Sequence, residues 1–225
     1  MPSAADLLPS SALQSIGVNL ASVLRERIVT GAYAPGEWIR ESQLAQEFGY
    51  SNGPIREALQ LLVGEGLLVR ATWRGVRVVE LTGREIVEIF QLRMALLTLA
   101  AELAATHMDA AQIKHGRQLL KQVGAAKKRG DIDELMALGR QLSQWVCDGS
   151  GNQRLASDWT RLTSQTRIYI YASLRAMAGQ RGVSADEPWR ELIAAIASRD
   201  TDAARLAARH LMQRTLKALG LDAGM

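Results

Sequence analysis

Side chains able to carry out catalysis or bind a metal are few in this chain of 225 residues. It contains three histidines, His107, His115 and His210, and one cysteine, Cys147. A single cysteine excludes an internal disulfide and a cysteine-based zinc site, and it suits a reducing compartment. No Ser/His/Asp set, paired carboxylates or glycine-rich phosphate loop stands in a supporting context. The sequence Gly64-Glu65-Gly66 indicates the end of a helix and not a dinucleotide-binding fingerprint. We therefore expect a protein that is not an enzyme and that carries no cofactor.

Arginine offers a different chemistry, because its guanidinium binds phosphates and the edges of guanine bases. The chain is mildly basic, with a net charge of +4 and a pI near 9.5. Residues 1–80 carry seven arginines, no lysine and eight acidic residues. A polyanion-binding surface in this part must therefore gather its arginines on one face. The net positive charge is compatible with a polyanionic partner but does not establish one. The alternative is that the charged residues lie on helix faces that contact only water.

Composition and hydropathy indicate a globular, water-soluble chain. Hydrophobic residues make up 48% and charged residues 22% of the sequence, an ordinary balance for a folded domain. No apolar run approaches about 18 residues, so we expect no membrane span. The N-terminus lacks a basic segment before an apolar core, so we expect no secretory signal and a cytoplasmic location.

Two short helices are predicted at the start of the chain. Residues 1–18, rich in Ser, Ala and Pro, are predicted to form a flexible arm. From Asn19 onward, apolar residues recur at the spacing of an amphipathic helix, and a turn through Ala34-Pro35-Gly36 follows it. Ser42 is predicted to cap a second helix that closes at Gly49.

A third helix and a hairpin complete this N-terminal part. Ser51 or Gly53 is predicted to cap the helix, and Pro54 fits its first turn. Two β-prone stretches, 67–69 and 76–79, then flank a turn that contains Gly75 and predict a β-hairpin. Three short helices followed by a hairpin are typical of a winged helix-turn-helix domain, here over residues 19–80.

Residues 81–222 are predicted to form an all-helical domain. Helical spacing of apolar residues begins after Thr82, with breaks at 149–152 and at a loop over 179–187. Thr201 is predicted to cap the last helix, which Gly220 closes. The fold class is therefore mainly α: an N-terminal winged helix-turn-helix domain followed by an all-α bundle of about six or seven helices.

The N-terminal motifs, in their order and register, resemble the GntR family of bacterial transcription regulators. They are Pro35-Gly36, Leu44-Ala45, the run Ser51 to Leu59 that contains PIREAL, then Leu62, Glu65-Gly66-Leu67 and Gly75-Val76. The C-terminal part is similar to the FCD ligand-binding domain of the FadR subgroup. Its matching pieces are Leu92-Arg93, Gly130-Asp131, Ser150-Gly151-Asn152, Ala195-Ile196, Asp200 and Ala203-Ala204. The resemblance covers residues 20 to about 216 and implies a homodimer that binds operator DNA and responds to a small metabolite.

In such a domain the third helix enters the major groove with its N-terminal residues at the base edges. Arg56 lies opposite the apolar face of this helix and is expected to bind guanine or phosphate. Ser51 and the helix N-terminus are expected to hold a phosphate through backbone N–H groups. In the wing, Arg74 and Gly75 place a cation beside a residue that allows close approach to the minor groove or a phosphate.

One position departs from the family pattern. Where the family usually has Arg after the helix-start Ser, this chain has Asn52, which can bind adenine N6 and N7 and so allows a different operator. Ser42 is neutral, and Arg40 is expected to contact phosphate in its place. The alternative for Arg40 and Arg56 is that both are ordinary surface arginines. The expected DNA-binding residues are Arg40, Ser42, Ser51, Asn52, Gly53, Arg56, Arg74 and Gly75.

The resemblance also implies a metal site that this sequence lacks. Many FCD domains bind a divalent ion beside the effector through an Asp, a His one helical turn later and two further His. The aligned positions here are Gly139, Ser143 and Trp189, and His210 lies one residue out of register, about 100° round the helix. Because one histidine without partners cannot hold a transition metal, we expect no metal site.

Without a metal, an anionic effector needs an arginine. Arg93 and Arg167 are the candidates, and Trp189 is expected to fill the space of the missing imidazole and metal. The alternatives are an ion pair of Arg93 with Glu102 or Asp158, and a packed core position for Trp189. Further expected lining residues are Trp145 and Tyr169. The expected effector-binding residues are Arg93, Ser143, Arg167, Tyr171, Trp189 and His210.

Together these features predict a transcription regulator with double-stranded operator DNA, a small carboxylate-bearing metabolite and a second copy of the chain as partners. The alternative is an architectural DNA-binding protein with a packed, ligand-free bundle, and behind it an all-helical enzyme. Cys147, near a helix end among apolar neighbours, is expected to be an inert packed thiol rather than a redox sensor.

Overall fold

The computed structural model describes residues 10–71, 74–176 and 186–222, and the chain divides into two compact units. The first unit comprises residues 1–81 and the second residues 82–225. The sequence prediction placed the domain boundary between residues 80 and 81. None of the helices in the described ranges is long and apolar enough to cross a membrane.

The first unit consists of three helices and a small antiparallel sheet. In chain order these are α1 (Ser10–Val29), β1 (Trp38–Ile39), α2 (Glu41–Phe48), α3 (Asn52–Gly64), β2 (Leu68–Ala71) and β3 (Gly75–Val78). The sheet order is β1-β3-β2, with Ile39 opposite Val76 and Leu68 opposite Val78. The predicted hairpin is thus β2 and β3, and β1 is an additional strand on its other side.

Apolar residues at helical spacing explain why α3 packs in this unit. Ile55, Leu59 and Leu62 recur every three to four residues, and all three are fully buried. They meet the buried face of α1, which contributes Leu24 and Ile28. The packing covers this one stripe of α3, and the opposite side of the helix remains exposed.

Two predicted boundaries in the first unit are corrected. Helix α1 begins at Ser10, so residues 10–18 are helical rather than a flexible arm, and residues 1–9 lie outside the described ranges. At Gly17 the helix lies so close to α3 that an added Cβ would stand 2.5 Å from the Glu57 carboxylate. Arg40, rather than Ser42, occupies the N-cap position of α2.

The second unit is a bundle of six helices within the described ranges. They are α4 (Gly83–His107), α5 (Ala110–Arg129), α6 (Ile132–Gly149), α7 (Gln153–Ala176), α8 (Glu187–Ala197) and α9 (Thr201–Ala218). Capping boxes begin α4 at Thr82 and α5 at Asp109. The prediction that Thr201 caps α9 is corrected, because the Asp200 carboxylate accepts the Ala203 N–H at 2.9 Å and Thr201 is already helical.

Small residues allow the helices of this bundle to approach closely. Ala100, Ala101 and Ala104 of α4 are fully buried in the core. On α5, Gly116 lies against the ring of Trp145, whose indole N–H donates to the Gln112 carbonyl at 2.9 Å. Trp145 therefore packs between α5 and α6 as a core side chain.

Candidate functional site

The first turn of α3 presents an open N-terminus in the first unit. Ser51 occupies the N-cap position with extended backbone, but its side chain makes no capping hydrogen bond. Asn52 and Gly53 follow it and are exposed. A Cβ added at Gly53 would meet only the Ser51 hydroxyl, at 3.9 Å. Backbone N–H groups at such a helix N-terminus are suited to binding a phosphate.

Arg56 lies on the exposed side of α3, one turn after this N-terminus. Its side chain is 66% exposed, and its Nε donates to Oε2 of Glu41 on α2 at 2.7 Å. This hydrogen bond raises the pKa of the Arg56 guanidinium, which is therefore charged at neutral pH. This ion pair links α2 to α3 on their exposed side. The Arg56 guanidinium remains accessible to solvent.

Three further arginines gather at one end of the sheet. Arg40 follows β1, Arg70 lies on β2 opposite Val76, and Arg74 precedes β3. Since Ile39 also lies opposite Val76, all three stand near the start of β3. They are exposed, and among the described residues none of their side chains has an ion pair or a hydrogen bond. We call Arg40, Arg56, Arg70 and Arg74 the arginine cluster.

The other arginines of this unit are engaged with acids. Arg25 pairs with Glu65 at 2.5 Å, and Arg27 pairs with Glu47 at 2.6 Å. The third, Arg77, stands 3.7 Å from Glu80, so each of these charges has an acidic neighbour. Within the arginine cluster Arg56 is also paired, with Glu41, so the positive charge left for a polyanion lies mainly on Arg40, Arg70 and Arg74.

The turn before β3 requires glycine. Gly75 has φ +95°, a left-handed value that side chains rarely adopt, and the Arg74 N–H donates to the Ala71 carbonyl at 3.1 Å. Ser42, exposed in the first turn of α2, lies near Arg40 in the chain. All eight residues expected to bind DNA are thus exposed or half-buried in this unit.

The second unit contains a cavity of about 240 Å³ among its helices. Of the residues predicted to bind an effector, Arg93, Ser143, Arg167 and Trp189 line it. Most of the wall is apolar. The apolar lining residues include Val123, Leu135, Met136, Trp159, Ile170, Leu174, Leu211 and Met212. The polar and charged lining residues, four of them arginines, are Arg93, Arg140, Ser143, Thr163, Arg167, Ser173, Arg214 and Thr215, and their positions determine what the cavity can hold.

Arg93 is a buried cation without a carboxylate partner. Its side chain is 4% exposed, and Nη1 donates to Thr166 Oγ1 at 2.8 Å. The guanidinium lies over the rings of Phe90 and Trp159, at 4.6 and 4.9 Å from their centroids. Burial lowers its pKa to about 10, so it remains a cation at neutral pH. Its Nε has no hydrogen-bond partner among the described residues.

The two ion pairs predicted as alternatives for Arg93 are not formed. Glu102 lies 3.6 Å from Arg205, and Asp158 lies 3.3 Å from Arg161. Both acids are engaged with exposed arginines, so neither compensates the charge of Arg93.

Thr163 is a polar lining residue that the sequence analysis missed. Its hydroxyl is buried and has no hydrogen-bond partner among the described residues, as for Arg93 Nε. The Ser143 hydroxyl, in contrast, donates to the Arg140 carbonyl at 3.0 Å. The spacing Thr163, Arg167, Ile170 and Leu174 places four lining residues on one face of α7, and this periodicity was the available signal.

Two predicted effector-binding residues, Tyr171 and His210, do not line this cavity. Tyr171 is the residue after Ile170, so its side chain lies about 100° further round α7. Its hydroxyl donates to the Asp133 carboxylate at 2.7 Å. His210 is exposed, whereas the next residues, Leu211 and Met212, reach the cavity.

The residues of the cavity do not fit a metal ion. Gly139, Ser143 and Trp189, at the positions where the resemblance implies ligands, all line it and supply no imidazole or carboxylate. Over the described ranges, no group of three or more His, Cys, Asp or Glu side chains is arranged to hold an ion. Cys147 is buried, and burial raises the pKa of its thiol to about 12, which leaves it protonated and unreactive.

Comparison with known proteins links both units to described families. Residues 18–78 match the model "Bacterial regulatory proteins, gntR family", and residues 88–214 match the FCD domain. The chain is 35% identical over 133 residues to an uncharacterized HTH-type transcriptional regulator, YdhC, of Bacillus subtilis, with 59% of each chain covered. It is 30% identical over 163 residues to the gluconate operon transcriptional repressor of Bacillus licheniformis, covering 72% of this chain and 66% of that one. The match thus covers 59% of the length of the YdhC protein and 66% of the length of the gluconate operon repressor.

Solved structures share the fold over most of the chain. The Escherichia coli protein McbR/YncC superposes with a TM-score of 0.80 at 23% identity, covering 91% of this chain and 97% of that one. A GntR regulator of Rhodococcus sp. RHA1 superposes with a TM-score of 0.74 at 19% identity, covering 92% and 98%. The relatives named here are transcriptional regulators, and none of them is named as an enzyme.

Proposed function

This chain belongs to the gntR family of bacterial regulatory proteins and carries an FCD domain, and on that premise we propose that it regulates transcription by binding operator DNA as a homodimer. Its affinity for the operator changes when a small carboxylate-bearing metabolite binds in the second unit. A ligand can exert such control only if it binds the DNA-competent and DNA-incompetent arrangements with different affinities.

The observation that carries the DNA-binding proposal is the open first turn of α3 beside the arginine cluster. An α-helix fits the major groove, and its N-terminal residues reach the base edges there. Asn52 and Arg56 are exposed at this end of α3 and can bond adenine and guanine respectively. Arg40, Arg70 and Arg74 supply cations for the flanking phosphates.

The carboxylate proposal rests on Arg93. A buried cation facing a cavity without an acidic partner is best stabilised by an anionic ligand, and a carboxylate matches the guanidinium in shape. The cavity also argues against the alternative of an architectural protein with a packed bundle, because 240 Å³ remains unfilled among the helices.

The homodimer proposal is supported by an apolar stripe on α4. Leu92 and Leu99 are 57% and 43% exposed, and half-buried Leu96 lies between them. Residues at this spacing share one helix face. A second copy of the chain would bury the stripe and would place two α3 helices on a two-fold symmetric operator.

Selection from a pool of random-sequence DNA duplexes tests the DNA-binding proposal. We expect enrichment of a pseudo-palindromic sequence, bound with an affinity that falls steeply as salt rises. Arg56→Ala is expected to weaken binding to that sequence by about 10-fold to 100-fold, because one base or phosphate contact is lost.

Arg84→Ala is the matched control, since Arg84 is an exposed, ion-paired arginine at the start of α4, outside the first unit. It should change the affinity by less than about twofold. Failure to enrich any sequence, or equal effects of the two substitutions, would contradict the proposal.

A further inference from the structure

The solvent-facing side of α5 carries a line of positive charge. At 100° per residue, four basic side chains fall within an arc of about 60° of the helix circumference, opposite the residues that α5 buries. With a rise of 1.5 Å per residue, the line is about 21 Å long. We call these residues the basic stripe, and all of them are exposed: Lys114, Arg117, Lys121 and Lys128.

The charge of α5 differs from that of the other long helices of its unit. Its 20 residues contain no Asp or Glu, and four of the five lysines of the chain lie on it. In the part of the chain that the structure describes, no side chain of the basic stripe has an ion pair or a hydrogen bond. Three other helices, in contrast, pair an exposed arginine with an acid three or four residues away: Arg84 with Glu88, Arg161 with Asp158, and Arg205 with Asp202.

The stability of α5 does not explain the basic stripe. Cations in the last turn of a helix interact favourably with its dipole, which accounts for Lys127, Lys128 and Arg129. Arg117 and Lys121 lie before that turn, and like charges four residues apart on a helix repel each other. A glutamate at either position would stabilise the helix instead. The pattern is therefore better explained by a bound polyanion than by folding.

The composition of this face selects among acidic partners. Protein interfaces depend on buried aromatic and other large side chains, and helices that bind membranes insert an apolar face. None of the large apolar side chains that are exposed in the described ranges lies on α5. A phosphate backbone needs only cations, because its binding is driven by the release of counterions. Duplex DNA, with one negative charge per about 1.7 Å of its axis, offers several phosphates to a line of cations about 21 Å long.

We propose that the basic stripe of α5 is a second DNA-binding surface, which binds the phosphate backbone of double-stranded DNA independently of base sequence. This inference rests on the proposed binding of operator DNA and adds to it a contact made by the second unit. The first unit selects the sequence, and the basic stripe contributes affinity that decreases as salt rises.

Neutralising the basic stripe in the full-length chain tests the inference. The quadruple variant carries Lys114→Gln, Arg117→Gln, Lys121→Gln and Lys128→Gln, and glutamine is a good helix former. Fluorescence anisotropy measures binding to a long duplex of random sequence over a range of salt concentrations. At about 0.1 M salt, the affinity of the variant should be at least tenfold lower than that of the wild type. The slope of log K against log salt should become shallower by about 2 to 4, since each lost phosphate contact removes about 0.9.

Folding is monitored by thermal melting, and the melting temperature should be unchanged or higher because the repulsion along α5 is removed. The milder variant Lys114→Gln with Lys121→Gln should show about half of the change in slope. It keeps the test decisive if the quadruple variant does not fold.

A second quadruple variant is the matched control, because it removes the same net charge from exposed positions on α4, α7 and α9. Its substitutions are Arg84→Gln, Arg154→Gln, Arg161→Gln and Lys217→Gln. None of these residues lines the cavity of the second unit. The control should change the affinity for the random duplex by less than about threefold.

Two results would overturn the inference. Equal losses in the two quadruple variants would assign the effect to net charge, and wild-type affinity in the variant without the basic stripe would show that the stripe does not bind DNA. That variant should still enrich the same operator sequence as the wild type. A wild-type protein that enriches no sequence would instead reject the DNA binding proposed for the first unit, so the two failures are distinguishable.

Discussion

A buried guanidinium with an unused N–H reduces the stability of the protein that contains it. At Arg93 the cost is offset in part by two aromatic rings and one threonine hydroxyl. Replacing a buried charged group by an apolar side chain of similar size is often neutral or stabilising. Arg93 is therefore better explained by a ligand than by the stability of the bundle.

The variant Arg93→Met tests this explanation. Without ligand, we expect its free energy of unfolding in urea to be unchanged or higher by about 1 kcal/mol. In titration calorimetry, small carboxylates that bind the wild type should bind this variant at least 100-fold more weakly, because the buried cation is lost. A loss of more than about 2 kcal/mol of stability, with carboxylate binding retained, would instead assign Arg93 a purely structural role.

Individual residues also show where sequence reasoning succeeds and where it stops. Arg56 was predictable because it lies opposite a regular apolar stripe, and the stripe fixes which side of α3 is exposed. Thr163 was not singled out, since a long helix buried on several sides carries more than one stripe of suitable spacing. Which stripe faces a cavity depends on the packing of neighbouring helices. Tyr171 and His210 are examples, because each is one residue away in the chain from a residue that lines the cavity.

At the scale of elements, predictions were accurate where a local signal is strong. The helices from α3 to α9 follow apolar periodicity, capping residues and glycines. Strand β1 was missed because two residues, Trp38 and Ile39, are too short for a period of two to be recognised. The start of α1 was missed because a segment rich in Ser, Ala and Pro shows no regular apolar stripe.

Two glycines of α5 allow a matched test of helix packing. A Cβ at Gly116 would stand 2.5 Å from the Trp145 ring, whereas a Cβ at Gly124 would meet nothing within 4 Å. Gly116→Ala should therefore lower the free energy of unfolding by about 1–3 kcal/mol through overpacking. Gly124→Ala should raise it by up to about 1 kcal/mol, because alanine is the better helix former.

Urea unfolding of both variants measures the difference. Equal effects would show that α5 moves freely enough to accommodate the methyl group at Gly116, and the close approach of α5 to α6 would then be of little energetic importance.

At the scale of the whole molecule, the proposed two-fold symmetry depends on the apolar stripe of α4. The double variant Leu92→Lys with Leu99→Lys places charges on exposed positions, so the fold of the single chain should persist. Charges at the centre of a symmetric interface should prevent association. Sedimentation at micromolar concentration should then give the mass of one chain and not two.

Val18→Lys with Val23→Lys is the matched control, since these exposed apolar residues lie on α1 in the first unit. It should leave the mass of two chains unchanged. A wild-type protein that sediments as one chain, or a double leucine variant that still pairs, would place the interface elsewhere or remove it.

The arginine cluster has a consequence for chemical modification. Residues 1–80 contain no lysine side chain, and all lysines of the chain lie in the second unit. Acetylation of lysine removes positive charge from many surfaces that contact nucleic acids, but it has no side-chain target among the four arginines here. Amine-reactive dyes that label lysine would likewise attach to the helical bundle and leave these guanidinium groups unaltered.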